Sequence, residues 1–554
     1  MIAPVTSSER IAHSRRLVDS ILEAARAHAA RHSDEAAVLL VGVAATVSRR
    51  RHTGRFTNQD MEDLLLELSA RVPEISVDEE MPGPRPGHDR GSALHVMTSC
   101  YAHGGHTRLV GRWIAMRPEI VSSLVLTAAG SPDPPPDLID AVQRSGGRTY
   151  RLDGSAMHRA GSLRSLARTT DMVVLAAHEN DIVPPLALAS ATWRPPVVLL
   201  NHADHVFWVG SSTADVVVSL RPAAADLAVR RRGIAEDCSL QVALPLPAAE
   251  RTRGIGDAKR ALGIPPNEKL LVTVGWAYKF APLAGRDLVT DLEAVLAHTD
   301  VHLIAVGPTD AQEPWASARA RYGDRVRALG RRDTHDVLEA ADVYLESFPI
   351  ASLTATLEAG MLGVPCVGLS LGDEVWPPIL REDDPALADH VFTDVREYRV
   401  HVRRLLDDEV ARGEAGRSLK ARVEQLHGVE AWEAGVARVQ DRSRHAAASR
   451  GARRGRTMGT PGLEDEILAG VIADNEDRVN RSEMHFAREP GPAASDALEL
   501  LNTSMYRMDS LILGALAPGR KEYAAALRIA RSATPVRLRF RAALSAALHT
   551  AQRR

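Results

Sequence analysis

Between residues 93 and 369, short apolar runs alternate with helical stretches, and this alternation constrains the chain more than any other feature. The runs are 93–98, 123–127, 172–177, 196–200 and 216–220, then 269–274, 301–306, 343–345 and 365–369. Strands that are apolar throughout, not only at every second residue, are covered on both faces. That pattern belongs to parallel sheets flanked by helices. The two sets of runs join near Leu244-Pro-Leu-Pro247. They predict an α/β chain of two doubly wound, Rossmann-like lobes facing a cleft, with ligands at the carboxyl ends of the strands.

The flanks read differently. Residues 1–90 read helical, with Leu17, Ile21 and Ala24, then Met61, Leu64, Leu65 and Leu68, at helical spacing, and a Pro/Gly connector at 81–91 closes them. The longest apolar run, 36–47, is too short to span a bilayer and predicts a buried helix. The first lobe is assigned to 91–245, the second to 246–430, and a linker with a helical extension to 431–554. Near the end, Val536, Phe540, Leu544 and Leu548 share one face, with arginines mostly elsewhere. Such a basic amphipathic helix can touch an anionic membrane, or pack on the protein's own surface.

Composition narrows the class. The 554 residues suggest three or four units, and 45% hydrophobic with 25% charged residues is ordinary for a soluble protein. A net charge of −3 gives no case for a nucleic-acid partner. Three cysteines far apart, Cys100, Cys238 and Cys366, form no disulfide or zinc framework. The first ten residues lack the apolar core of a signal peptide. A cytoplasmic protein is expected, with its oligomeric state left open.

Chemistry concentrates where the apolar runs end. Val343 to Leu345 leads into a Ser/Thr-rich loop with Ser352, Thr354 and Thr356, which opens a helix carrying Glu358. Helix starts present unpaired N–H groups and attract phosphate, while a carboxylate further in can accept from a ribose diol. After the first run comes Thr98-Ser-Cys-Tyr-Ala-His-Gly-Gly-His-Thr-Arg108. Gly104 and Gly105 allow a close backbone approach, and His106 can serve as a general base, donate to a ligand, or merely cap the helix. Asn201-His-Ala-Asp-His-Val-Phe-Trp208 places His202, Asp204 and His205 at another strand end. Asp204 can orient a histidine, be the base itself, or brace the loop. A metal reading of the two histidines lacks a third ligand. His178-Glu-Asn-Asp181 is a fainter signal of the same kind. In the second half, Lys279 follows the first strand and can balance a diphosphate, and Arg332 and His335 can contact a base.

Taken in this order, the motifs resemble those of a GT-B glycosyltransferase, and more narrowly those of glycosyltransferase family 41. The resemblance spans about 91–430 and rests on Gly105-His-Thr107, Tyr278-Lys-Phe-Ala-Pro282, Arg332 with His335, Ala341-Asp-Val343, Thr354 with Thr356, and Glu358. It implies a UDP-sugar as substrate, with Lys279 on the diphosphate, Arg332 and His335 on uracil, and Glu358 as the ribose-binding acid. Animal members carry Asp where Glu358 stands and His where Leu353 stands, and their tetratricopeptide array has no counterpart here. Retaining GT-B enzymes usually place a glutamate eight residues before this one, where the present chain has Ile350. The expectation is an inverting transferase needing no cofactor or metal, with His106 or Asp204 assisting an acceptor hydroxyl or amide of unknown identity. Its rivals are a retaining transferase, a nucleotide-sugar 2-epimerase, and a non-catalytic sugar-nucleotide-binding protein.

Overall fold

The structure, a computed structural model, describes residues 6–75, 91–101, 105–190, 194–283, 285–372, 379, 383–448 and 461–470. Residues 81–90 of the connector, Gly104, most of the 442–456 linker and the basic terminal stretch lie outside these residues.

The first sheet contains β1 (Ser92–Met97), β2 (Val121–Leu126), β3 (Thr149–Arg151), β4 (Met172–Leu175), β5 (Val197–Asn201), β6 (Val216–Ser219) and β7 (Ser239–Gln241). Its order is β3-β2-β1-β4-β5-β6-β7, and every pairing is parallel. The second sheet contains β8 (Lys269–Val274), β9 (Val301–Val306), β10 (Val326–Ala328), β11 (Val343–Leu345), β12 (Cys366–Leu369) and β13 (Val391–Phe392). Its order is β10-β9-β8-β11-β12-β13, again parallel throughout. Both sheets reverse direction beside their first strand, at β1/β4 and at β8/β11. Those switch points are where open α/β sheets hold ligands. The two doubly wound lobes anticipated above are present.

Three helices precede the first lobe: α1 (Ser7–Ala29), α2 (Asp34–Arg50) and α3 (Gln59–Ser69). Thr6 and Glu9 form a reciprocal capping box at the start of α1, and Asn58 caps α3 through the Met61 N–H. The run 36–47 lies inside α2, whose Val38, Val41 and Ala44 are buried. These helices do not form a separate core. Leu22, Val41 and Leu64 belong to one apolar cluster with Val125, Leu163, Leu186 and Phe207 of the first lobe.

The lobes are joined through the helix Val429–Ala448, which returns to the first lobe, where Trp432 meets Trp113 edge-on at 5.0 Å. Both tryptophans share an apolar cluster with Leu244 and Leu246 and with Leu270 and Val272 of the second sheet. Further on, Leu468 packs with Phe56, Leu227 and Ile379. Asp465 accepts from His52 at 2.8 Å and from Arg231 at 2.9 Å. No described helix is long and apolar enough to cross a membrane.

Candidate active site

The second lobe supplies one wall of the cleft. β8 ends at Val274, and the chain turns through Gly275 and Trp276 into a short 3-10 turn, Ala277–Phe280, that carries Lys279. The ammonium of Lys279 donates to the Ala351 carbonyl, so it stands over the loop that follows β11. That loop opens the helix Leu353–Met361. The N–H groups of Leu353 and Thr354 have no partner among the described residues, and both residues line the cleft. Unpartnered N–H groups at a helix start, with an ammonium nearby, make a site for an anion. Above it, Arg331 lies 4.2 Å over the exposed Trp276 ring. Gly307 takes φ +117°, and a Cβ there would sit 2.0 Å from the Gly275 carbonyl oxygen. Only glycine fits that approach.

Beneath the loop lies Glu346, 4% exposed, in the position directly after β11. One carboxylate oxygen accepts the N–H of Ser347 and that of Ser352, each at 2.7 Å. The other accepts the hydroxyl of Thr356. Burial pushes the Glu346 carboxyl up, against the pull of the Thr356 hydrogen bond and the Lys279 charge. The sequence reading did not single out Glu346. The available signal was an acid placed immediately after an apolar strand.

The first lobe forms the facing wall from the ends of β5 and β6. Asp204 holds Arg221 with both oxygens, at 2.7 Å and 3.2 Å. Burial alone would raise its carboxyl; the Arg221 guanidinium and His205 outweigh burial and hold it well below the usual carboxylate range. His106 lies behind this wall, in a side cavity of about 140 Å³ shared with Gly105, Arg112, His202 and Thr354. Its ring stacks on His202 at 5.0 Å between centroids and is 5.7 Å from His178. Burial, with the charges of His202 and His178 adding to it, lowers the His106 imidazole to about 3. Its buried Nε2 has no hydrogen-bond partner among the described residues.

The main cleft has a volume of about 590 Å³ and brings Gly105, His202, Asp204 and His205 opposite Lys279, Arg332, Ser352 and Thr354. Besides His106, three further candidate residues stand off it. The hydroxyl of Thr356 is turned down to Glu346. Glu358 crosses between the lobes to Arg112 at 2.6 Å and Arg108 at 3.3 Å. His335 starts the helix His335–Ala340, with its ring 3.4 Å from Glu339. Among the described residues, no group of three or more His, Cys, Asp or Glu side chains is placed to hold a metal ion.

No protein-family model and no curated protein sequence matches the chain. Solved structures do resemble it at low identity. Anabaena HepE in complex with UDP and glucose is 14% identical, with a TM-score of 0.48 over 64% of this chain and 99% of that one. A point mutant of the Thermobaculum terrenum O-GlcNAc transferase is 15% identical, with a TM-score of 0.47 over 81% and 86%. WaaG, a glycosyltransferase involved in lipopolysaccharide biosynthesis, is 14% identical, with a TM-score of 0.43 over 62% and 98%.

Proposed function

We propose that the chain transfers a sugar from a UDP-sugar to an acceptor hydroxyl or amide, with inversion at the anomeric carbon. One observation carries this reading. Around a single cleft, Lys279 and the open helix start at Leu353 and Thr354 face the polar wall of His202, Asp204 and His205. In this reading the diphosphate lies on the helix start, and Lys279 offsets the charge that develops as the sugar departs. Arg332 and the Trp276–Arg331 stack take the base. Glu358 holds the ribose, exchanging Arg112 and Arg108 for the diol as the donor enters.

The acceptor comes from the first lobe and attacks as the bond from the anomeric carbon to the phosphate oxygen breaks. Its proton passes to His106, whose Nε2 has no partner among the described residues, whereas both oxygens of Asp204 are held by Arg221. Two negative phosphates nearby raise the proton affinity of His106 from its low resting value. Inversion is supported by Ile350, an apolar residue on the cleft wall eight positions before Glu358.

Thermal unfolding with UDP-, GDP- and TDP-sugars tests the donor. A ligand at 100 times its Kd stabilises the native state by about 2.7 kcal/mol. UDP-sugars are expected to raise the Tm most. A response to GDP-sugars and not to UDP-sugars contradicts the uridine part of the proposal.

A further inference from the structure

The motif His178-Glu-Asn-Asp181, at the end of β4, takes no part in the transfer chemistry above, yet it holds a deeply buried acid against the cleft. Glu179 is 8% exposed. One oxygen accepts from Nε of Arg49, on α2, at 2.6 Å. The other faces Nε2 of His202 at 3.6 Å, and Nδ1 of the same ring lies 3.2 Å from the Leu200 carbonyl. The ring of His202, stacked on His106, thus has the Leu200 carbonyl within hydrogen-bond distance of one nitrogen and the Glu179 charge facing the other.

The same helices grip this wall twice more. Asn180 donates to Thr46 of α2 at 2.9 Å. Glu62 of α3, 2% exposed, accepts the N–H of Gly210 at 2.8 Å and of Ser212 at 3.1 Å, just beyond the loop that carries His202, Asp204 and His205. A buried carboxylate persists when it is fully hydrogen-bonded or paired. Two of them, each joining an N-terminal helix to a loop of the same wall, are more than a simple domain contact requires.

We infer that the N-terminal helices complete the acceptor wall: Arg49, acting through Glu179, positions the cluster of His106, His178 and His202, and Glu62 fixes the loop behind it. Arg49, Glu179 and Glu62 are positioning residues, since none of them lines the main cleft. The groups facing His178 are the Glu179 and Asp181 carboxylates, the Arg49 guanidinium, and the rings of His202, His106 and Tyr101. Burial lowers the His178 imidazole, with Arg49 and His202 adding to it and the two carboxylates opposing it. Burial alone would raise the Glu179 carboxyl, but Arg49, His202 and His178 together hold it at about 2. The acid is therefore ionised and the arginine acts as its counter-charge.

Only the activity readout of this inference rests on the glycosyl-transfer reading. The test titrates the histidine ring signals of the full chain by NMR in wild type, Arg49→Ala and Glu179→Gln. Removing the cation should raise the His178 midpoint and removing the anion should lower it, each by roughly half a pH unit or more. Opposite shifts show that both charges act on the histidine cluster, whereas a purely structural tie leaves turnover unchanged. With UDP-glucose and UDP-GlcNAc as probes, both variants should lose turnover on the order of 100-fold while UDP affinity holds, and Arg49→Lys should recover part of the loss. Unchanged midpoints, shifts of one sign, or UDP affinity falling together with turnover overturn the inference. If wild type, given a cell extract as acceptor source, releases no UDP from either probe, the transfer reading fails, while opposite shifts still uphold the link from Arg49 to the cluster.

Discussion

Lys279 lines the cleft wall, and its ammonium stands over the loop that opens the helix Leu353–Met361. Lys279→Ala should abolish the Tm response to UDP-sugars and lower turnover about 100- to 1,000-fold, as read by UDP release. An unaltered Tm response would remove Lys279 from the donor site. Gly307 lies close by with φ +117° and a Cβ position 2.0 Å from the Gly275 carbonyl oxygen. Gly307→Ala should cost about 1–3 kcal/mol of stability and weaken UDP binding, because Gly275 leads directly into Trp276 and Lys279; calorimetry reads both. At this scale the sequence was partly legible. Polar residues at strand ends pointed to His202, Asp204, His205, Lys279 and Thr354, all of which line the cleft. Glu179 lay within the faint signal at 178–181, but its tie to Arg49, like that of Glu62 to Gly210 and Ser212, joins residues distant along the chain, and Glu346 is set apart by its burial. The link from Arg49 to Glu179 spans 130 residues, and no local pattern announces it. Thr356 shows the converse: its spacing suggested phosphate, whereas its hydroxyl supports Glu346.

Among the elements, the nine apolar runs all became strands, because an interior parallel strand must be apolar along its length. The strands that went unread are β3, β7, β10 and β13, the outer strands of the two sheets. Each has only two or three residues, and all but β10 are at most half-buried. An edge strand with one paired side and a wet face carries no continuous apolar run. The helix Val429–Ala448 was assigned by sequence to the boundary between the second lobe and the extension, yet its apolar face belongs against the first lobe. Trp432 is fully buried there, edge-on to Trp113. Trp432→Ala should therefore cost about 3–5 kcal/mol in urea unfolding. A loss below about 1 kcal/mol would show that this helix does not fasten the lobes together.

For the whole molecule, the N-terminal helices, the two lobes and the returning helix share apolar clusters around the cleft. The buried histidine cluster makes its stability sensitive to acid. The His106 imidazole falls from an ordinary 6.5 to about 3 in the folded chain. Between those values the unfolded chain binds the extra proton, so the stability of the native state drops as pH falls through 6.5. His106→Gln should remove that share of the slope, so its Tm should decline less than that of wild type between about pH 6.5 and 5. The depressed carboxyls, such as Glu179 at about 2, act only below about 4.5 and leave this window clear. Identical slopes would show that His106 is not buried neutral. The proposed transfer breaks a sugar–diphosphate bond in the cleft. Phosphorus NMR of the chain with UDP-sugars, with and without a cell extract as acceptor source, follows that bond directly. Steady appearance of UDP, reduced about 100- to 10,000-fold by His106→Ala, is the expected result. UDP-sugar that binds and stays intact, or that changes only its sugar while remaining a UDP-sugar, would contradict it.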